Sequence, residues 1–256
     1  MSNTRRTIVI IIAALLVFSG FILARFPASH ALALASRFSQ GMLTANNVSG
    51  TVWQGKADNI YLSYFNQTLD FGRTQWRLAF WPLLLAKLDL ALEAKNGKQH
   101  IQTHAVASSN RLQLKDTQIT MDVARLMQFY PVPIDVRGSI ELLLQDARLT
   151  DNGVEQIAGN IVFKEMAFTF QKAIDLGSYG ARLSMDGDDV KADFSDLDAS
   201  MVVTGYAKGN VTPGRYETDM TIKITEKTDD WIIQSLPMLA KQQEDGSFRL
   251  QQSGHF

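Results

Sequence analysis

The chain has 256 residues, of which 46% are hydrophobic and 20% charged, and its net charge at pH 7 is −1. This is the composition of an ordinary folded protein, and the lack of a basic excess argues against nucleic acid as a partner. There is no cysteine, which excludes thiolate ligation of zinc or iron–sulfur clusters and thiolate nucleophiles.

The first element is an uncharged apolar run, Thr7–Ala24, with Arg5 and Arg6 before it and Arg25 after it. As a helix rising about 1.5 Å per residue, it spans about 27 Å, close to the roughly 30 Å hydrocarbon core of a bilayer. We therefore predict a transmembrane anchor over residues 7–24, with basic residues at both flanks. A cleaved signal peptide is the alternative, because small residues suited to cleavage follow in His30–Ala35.

The orientation of this anchor is predicted from the length of the tail that precedes it. Basic residues lie on both sides of the span, so the positive-inside rule decides little. The simplest topology leaves residues 1–6 as a short cytoplasmic tail and exports everything after the anchor. In a bacterium this gives a single-pass inner-membrane protein with most of its chain in the periplasm and membrane lipid as one partner.

Residues 25–41 are predicted to form a membrane-proximal helix and linker. The alanine-rich segment Ser29–Gln40 suggests a short helix with Ser29 as its N-cap and Gly41 as its stop. We expect this helix to lie near the membrane surface.

From residue 42 onward the hydrophobic period changes to two. In "KLDLALEA" the residues Leu88, Leu90 and Leu92 fall on one face, and "YETDMTIKIT" alternates in the same way. Such alternation predicts antiparallel strands with one packed and one solvated face. We therefore predict a mainly β periplasmic domain over residues 42–256: a curved, largely antiparallel sheet, groove- or half-barrel-like, with a few short helices.

Two predicted strands change phase along their length. The apolar positions shift from even to odd between Leu114 and Ile119, and from odd to even between Phe163 and Met166. A change of phase in a period-two pattern requires a bulge or a bend. A loose apolar–x–Gly pattern also recurs, and a glycine there permits a bulge or a close backbone approach; these glycines are Gly50, Gly138, Gly159 and Gly205.

Two helices are predicted to interrupt the sheet, one over Val123–Pro131 and one over Thr228–Gln243. The second has Thr228 or Asp229 as its N-cap, and Pro237 should kink it. The chain then ends in a predicted strand.

Recognisable catalytic and ligand-binding motifs are missing. His100 and His104 share a face of a strand but have no acidic third ligand nearby in the sequence, which favours exposed polar residues over a metal site. The acidic run Asp186–Asp198 lacks the glycine and glutamate positions of a calcium loop and predicts a solvated hairpin tip. No P-loop, Rossmann fingerprint, G-x-S-x-G or H-E-x-x-H is present. We expect no enzyme, no cofactor or metal, and no small-molecule substrate.

The order of motifs resembles a known family. After the predicted anchor come "GTVWQG", which reads Gly-Thr-hydrophobic-Trp-x-Gly, and then "WRLAFWPLLLAKLDLAL", a Trp-x-hydrophobic stretch with a proline–leucine run. This arrangement resembles the protein N family of the bacterial type II secretion system, also called general secretion pathway protein N. The matching residues are Gly50, Thr51, Val52, Trp53, Gly55, Trp76, Leu78, Pro82, Leu83 and Leu84.

The resemblance implies a non-catalytic inner-membrane component that supports export of folded proteins from the periplasm. Its implied partners are other inner-membrane and periplasmic secretion subunits. The family is similar in style to AsmA-like proteins, whose β-grooves are linked to lipid handling, so a groove that contacts or transfers lipid is the alternative. Within "GTVWQG" we expect a strand start, with the indole of Trp53 packing over Gly55.

Overall fold

The computed structural model describes residues 15, 18, 20–64, 67–128, 135–169, 172–210 and 214–255. Residues 20–24 are helical. The helices that follow are α1 (Ala28–Phe38), α2 (Phe80–Leu83), α3 (Val123–Leu126) and α4 (Asp230–Leu239).

Strands make up most of the remainder. They are β1 (Leu43–Asn46), β2 (Ser49–Gly50), β3 (Gln54–Ala57), β4 (Asn59–Tyr64), β5 (Gln67–Asp70), β6 (Arg73–Leu78), β7 (Leu88–Asn96), β8 (Gln99–Ala107), β9 (Arg111–Asp122), β10 (Asp135–Thr150), β11 (Gly153–Thr169), β12 (Ala173–Asp186), β13 (Asp189–Ala199), β14 (Met201–Asn210), β15 (Arg215–Ile224), β16 (Lys241–Gln242) and β17 (Phe248–His255).

The strands form one large open sheet and one small sheet. Fourteen strands pair antiparallel in the order β16-β17-β15-β14-β13-β12-β11-β10-β9-β8-β7-β6-β3-β2, and β1, β4 and β5 form the small sheet. From β6 to β15 each strand pairs with the next one along the chain, as expected when short turns join antiparallel strands. The prediction of a mainly β, largely antiparallel domain is confirmed.

The two faces of the large sheet differ in chemistry across twelve strands. One cross-strand row, which we call the apolar row, contains no exposed residue. Its members are Ala57, Thr74, Ala94, Ile101, Ile119, Leu142, Ile161, Ala181, Phe194, Gly205, Met220 and Leu250. The neighbouring row on the opposite face is polar except for Leu143. It comprises Lys56, Gln75, Glu93, Gln102, Gln118, Leu143, Asn160, Arg182, Asp193, Tyr206, Asp219 and Gln251.

Bulges keep apolar side chains on one face of the long strands. The pairing of β8 with β9 shifts by one residue at Asp116, which has φ 45°, and that of β11 with its neighbours shifts at Glu165, which has φ 50°. Both phase changes predicted from the sequence are therefore confirmed as bulges. The sheet is also curved: Cα atoms of β11 approach those of β13 within 8 Å, closer than the roughly 9.5 Å of two flat strand spacings.

The glycines of the recurring pattern lie where a side chain has no room. A Cβ on Gly205, which has φ +136°, would lie 2.7 Å from the Cα of Met220 on the next strand. A Cβ on Gly159 would lie 3.0 Å from the Cα of Leu144. The prediction that glycine permits close backbone approach is confirmed at these positions.

Helix α4 covers the apolar face at one end of the sheet. Its side chains Ile232 and Leu236 are buried with Ile174 and Phe248, and Leu250 of the apolar row packs against this cluster. Asp229 is the N-cap, because its carboxylate accepts a hydrogen bond from the backbone N–H of Trp231 at 2.9 Å. The predicted helix was too long, since the chain leaves it after Leu239 and residues 241–242 pair with β17 as β16. The kink at Pro237 stays a prediction.

The two other predicted helices are also shorter than their sequence patterns. Helix α1 begins after Pro27 rather than at a Ser29 cap, and it ends where Gly41, at φ +82°, donates its N–H to the carbonyl of Ser36 at 2.7 Å. The left-handed residue that ends the helix is Gln40, at φ 54°, and Gly41 follows it, so the predicted stop was one residue too late. Helix α3 covers Val123–Leu126, and the predicted end of that helix at residue 131 lies outside the described residues.

The predicted anchor falls mainly outside the described residues, which include only residues 15, 18 and 20–24 of its span. Arg5 and Arg6 also lie outside them. Across the part of the chain that the structure describes, no helix combines the length and apolarity needed to cross a membrane.

Candidate functional site

The "GTVWQG" segment forms a tight hairpin between β2 and β3. Gly50 pairs with Gly55, and the N–H of Thr51 donates to the carbonyl of Gln54 at 2.9 Å. Gly50 has φ +89°, a conformation that suits glycine, and this lets the chain reverse within four residues. The prediction that the motif is a strand start with Trp53 on the strand was therefore wrong: β3 begins at Gln54, and Trp53 lies in the loop that connects it to β2.

The indole of Trp53 joins the sheet to the helical residues at the N-terminal side. Its Nε1–H donates to the carbonyl of Leu23 at 2.7 Å, at the end of the predicted anchor. Its ring also packs edge-on against Phe80, with centroids 5.1 Å apart and planes at 79°. A Trp side chain in this geometry combines a hydrogen bond with aromatic packing, and so it holds two segments of the chain together.

A second tryptophan occupies the place that the sequence suggested for the first. Gly55 lies beneath the indole of Trp76, because a Cβ there would come 2.8 Å from Cε2 of that ring. The Nε1–H of Trp76 donates to the carbonyl of Val52 at 3.1 Å. The expected packing of Trp53 over Gly55 was wrong for this reason: the ring over the glycine comes from β6, the partner strand of β3.

Backbone bonds fix the hairpin on both sides. Towards the N-terminus, the N–H of Val52 donates to the carbonyl of Phe26 at 2.9 Å, and Thr51 forms an isolated antiparallel bridge with Pro27. Towards the sheet, the N–H of Leu78 donates to the carbonyl of Trp53 at 2.7 Å. The hairpin thus connects the end of the apolar N-terminal segment to β6.

Pro82 belongs to an exposed apolar projection beside this hairpin, which we call the apolar turn, residues 81–85. The exposed fractions of Trp81, Leu84 and Leu85 are 75%, 64% and 73%. The carbonyl of Pro82 accepts hydrogen bonds at 2.9 Å from the N–H groups of both Leu85 and Lys87, which closes the turn. The ring of Trp81 lies 5.6 Å from that of Phe80 and so continues the aromatic contact that starts at Trp53.

Arg25 is the one predicted membrane flank within the described residues. Its guanidinium carbon lies 5.2 Å from the centroid of the Phe21 ring, within cation–π range. Arg25 is also exposed. Its charge marks the end of the uncharged apolar segment.

The apolar face of the large sheet is the second candidate surface. Most large side chains of the apolar row are half-buried rather than buried. In the middle of the sheet, the described residues that pack against the buried cluster of Leu144, Ala147 and Leu183 all belong to strands. Helix α4 therefore covers one end of this face, while the described residues in the middle form a single layer.

Neither His100 nor His104 belongs to a metal-ligand cluster among the described residues. His104 Nε2 lies 2.8 Å from Asp89 Oδ1, a partner on the adjacent strand that sequence spacing did not reveal. No group of three or more His, Asp or Glu side chains suited to a metal occurs among the described residues. The acidic run forms a hairpin in which Asp186 pairs with Asp189 around Gly187, so the predicted hairpin tip is confirmed.

Charged pairs are concentrated on the polar face. Asp219 accepts hydrogen bonds from Nε and Nη2 of Arg249 at 2.9 and 2.6 Å, and these bonds lower the pKa of its carboxyl. Tyr206 donates its hydroxyl to Glu217 at 2.6 Å, which raises the pKa of the phenol and lowers that of the carboxyl. These shifts accompany solvated pairs between strands.

The fold and the hairpin define the class: an antiparallel sheet with one apolar face, tied by a tryptophan hairpin to an apolar N-terminal segment. The family model described as type II secretion system (T2SS), protein N, matches residues 42–251. No curated protein and no solved structure matches the chain. Because the family match covers most of the chain, the chain belongs to the type II secretion system protein N family and is a component of that secretion machinery.

Sequence reasoning found the motif residues but missed their partners. The carbonyl of Leu23 and the ring of Phe80 carry no signal in a period-two pattern. The exposed apolar turn does carry a signal in the sequence, because the run from Trp81 to Leu85 interrupts the alternation of β6 and β7 with consecutive apolar residues.

Proposed function

We propose that this component is an inner-membrane-anchored, non-catalytic subunit that supports export of folded proteins from the periplasm. The tail of residues 1–6 lies in the cytoplasm, residues 7–24 cross the bilayer, residues 25–41 lie against it, and residues 42–256 are periplasmic. The observation that carries the proposal is the family match over residues 42–251, which include the hairpin bonded to the end of the apolar segment.

The anchor is supported by the chemistry of its described residues. The side chains of Leu15, Phe18 and Phe21 are exposed. Exposed apolar side chains on successive turns of a helix are stabilised by hydrocarbon rather than by water. The bond from Trp53 to Leu23 then holds the exit of the anchor at one fixed corner of the sheet.

The proposed partners are other inner-membrane and periplasmic subunits of the secretion system. Within the described residues, β16 pairs only with the start of β17, so the outer edge of β17 from Leu250 to His255 has no neighbouring strand there. An unpaired edge of this length can accept a strand from another chain. We propose this edge and the anchor as the contact surfaces.

Photocrosslinking in native membranes tests the partner proposal. A photocrosslinking amino acid replaces Ser253 on the edge of β17, and a matched control carries it at Asn160, which is exposed in the middle of the polar face. We expect a covalent adduct with a secretion subunit from position 253 and little from position 160. Recovery of no secretion subunit from position 253, with the protein at its native level, contradicts the proposed contact.

Lipid contact by the sheet is the second candidate function, and the apolar row is the observation that favours it. A half-buried apolar strip across twelve strands, covered by α4 at one end, suits an acyl chain. Native mass spectrometry tests this by comparing phospholipid that co-purifies with Ile161→Gln and with Asn160→Gln. These neighbours lie on opposite faces, so we expect lipid loss from the first only; equal lipid content in both removes this candidate.

A further inference from the structure

We propose that the apolar turn, residues 81–85, is a second membrane contact, which inserts into the lipid interface beside the anchor and fixes the orientation of the sheet on the bilayer. The proposal rests on the proposed anchoring of residues 7–24. It assigns a role to a surface that neither the anchor nor the sheet requires.

The first argument is the cost of leaving this turn in water. Trp81, Leu84 and Leu85 project from one short turn, and each is more than half exposed. The turn joins two paired strands, β6 and β7, and polar residues would serve for that connection equally well. A cluster of large apolar side chains at the tip of a connection is typical of an interaction site.

The second argument is the position of the turn next to the anchor exit. Trp53 bonds the carbonyl of Leu23 and packs on Phe80, and Phe80 packs on Trp81. One continuous set of contacts therefore leads from the last turn of the apolar segment to the apolar turn. If the anchor ends at the membrane surface, the apolar turn lies beside that surface.

The third argument is the chemical character of the turn. Tryptophan is enriched at the boundary between headgroups and acyl chains, and leucine gains stability when it leaves water for the acyl region. Lys87 follows the turn and is exposed, as a residue that pairs with lipid phosphates must be. An amphipathic tip of this kind fits a lipid surface, and we commit to the bilayer that holds the anchor as its occupant.

The far end of the sheet provides the contrast. Met238 on α4 is 86% exposed, more than any residue of the apolar turn. It lies on the helix that packs at the β17 end, and ten strands of the sheet separate β17 from the hairpin. Exposure alone therefore does not distinguish the two sites, but proximity to the anchor does, and the proposal predicts that only the apolar turn meets lipid.

Depth measurement with single cysteines tests the proposal in the full chain, which has no native cysteine. Leu84→Cys, Leu85→Cys, Met238→Cys and Leu15→Cys variants are labelled with an environment-sensitive fluorophore. Each is reconstituted in phosphatidylethanolamine–phosphatidylglycerol vesicles that contain nitroxide-labelled lipids. Two positions in the turn guard against a local effect of either substitution.

We expect blue-shifted emission at positions 84 and 85, quenched more by nitroxides near the headgroups than by those at the bilayer centre, since interfacial elements insert about 5–10 Å. Position 15 is expected to be quenched by deep nitroxides and position 238 by neither.

If position 15 is quenched while 84 and 85 resemble 238, the turn is not a membrane contact and the anchor still stands. If none is quenched, both proposals fail. If the emission at positions 84 and 85 shifts to the blue only after secretion subunits are added, a protein rather than lipid covers the turn. That result overturns the lipid assignment.

Discussion

The two ends of the large sheet use the same apolar face in different ways. At the β17 end, α4 covers the face, and Leu236 and Phe248 are buried in the cluster that results. At the β2 end, the Trp53 hairpin connects the sheet to the apolar N-terminal segment beside an exposed turn. From this difference we infer that the β17 end mainly stabilises the fold. The β2 end mainly positions the sheet relative to the apolar N-terminal segment. Changes at the first should affect unfolding, and changes at the second should affect orientation and contacts.

Substitution in the α4 cluster should have the largest effect on stability. Leu236→Ala removes a side chain that is 5% exposed, and we expect the free energy of unfolding to fall by about 3 kcal/mol, because the cavity adds to the lost transfer energy. The matched control is Leu239→Ala on the same helix, where the side chain is 68% exposed. Urea unfolding of the two variants measures the difference. Equal losses in both contradict the packing role of α4.

Crowding along the apolar row should have the next largest effect. Gly205→Ala places a Cβ against Met220 of β15 at a φ of +136°, and we expect a loss of about 2 kcal/mol. Gly187→Ala has positive φ but open space around the new Cβ, so about 1 kcal/mol is expected there. Thermal unfolding compares the pair. A Gly205→Ala variant no less stable than Gly187→Ala means that the strands are free to separate at this point.

The regular part of the fold was predictable because each strand repeats a local rule. The alternation in β7 and β15 and the bulges near Asp116 and Glu165 follow from which face each side chain must occupy. The helix ends were less predictable because competing interactions decide them. Residues 241–242 leave the predicted helix to pair with the start of β17, because the short turn at residues 243–247 brings the two segments together as a hairpin.

Loss of the Trp53 hydrogen bond should have a smaller effect on stability and a larger one on the N-terminal segment. Trp53→Phe keeps a ring against Phe80 but removes the donor to Leu23, so we expect about 1 kcal/mol of destabilisation. Limited trypsin digestion should cut faster after Arg25, since the segment loses its attachment. Trp81→Phe, an exposed position, serves as the control. Unchanged cleavage in Trp53→Phe contradicts the attachment.

The candidate site was only partly predictable for a related reason. The motif marked Trp53 as important, but its partners, Leu23 and Phe80, come from a helix and a turn that the sheet pattern does not describe. A hairpin and a strand start both place glycine before a polar or aromatic residue. Only the pairing of Gly50 with Gly55 distinguishes them, and that pairing depends on the chain reversing within the motif.

The polar face should show the smallest effect, visible as pH dependence. Arg249 lowers the pKa of Asp219 in the folded state, so this carboxylate contributes stability above its unfolded pKa of about 3.9 and loses it as pH falls through the folded pKa. Asp219→Asn should therefore lower the unfolding midpoint at pH 7 and flatten its decline towards pH 2. Asp151→Asn, in the exposed turn before β11, controls for removal of one negative charge. If the unfolding midpoint of Asp219→Asn falls towards pH 2 as steeply as that of the unchanged chain, Asp219 does not make this contribution.

Cysteine labelling in spheroplasts tests the central claim, a cytoplasmic tail and an exported sheet joined by one membrane span. The chain has no cysteine of its own, so Met238→Cys, which reports on the exposed end of α4, and Ser2→Cys, which reports on the tail, each provide one thiol. A membrane-impermeant maleimide is applied before and after permeabilisation. The account predicts labelling of position 238 in intact spheroplasts and of position 2 only after permeabilisation. Protection of position 238 until the membrane is opened contradicts it.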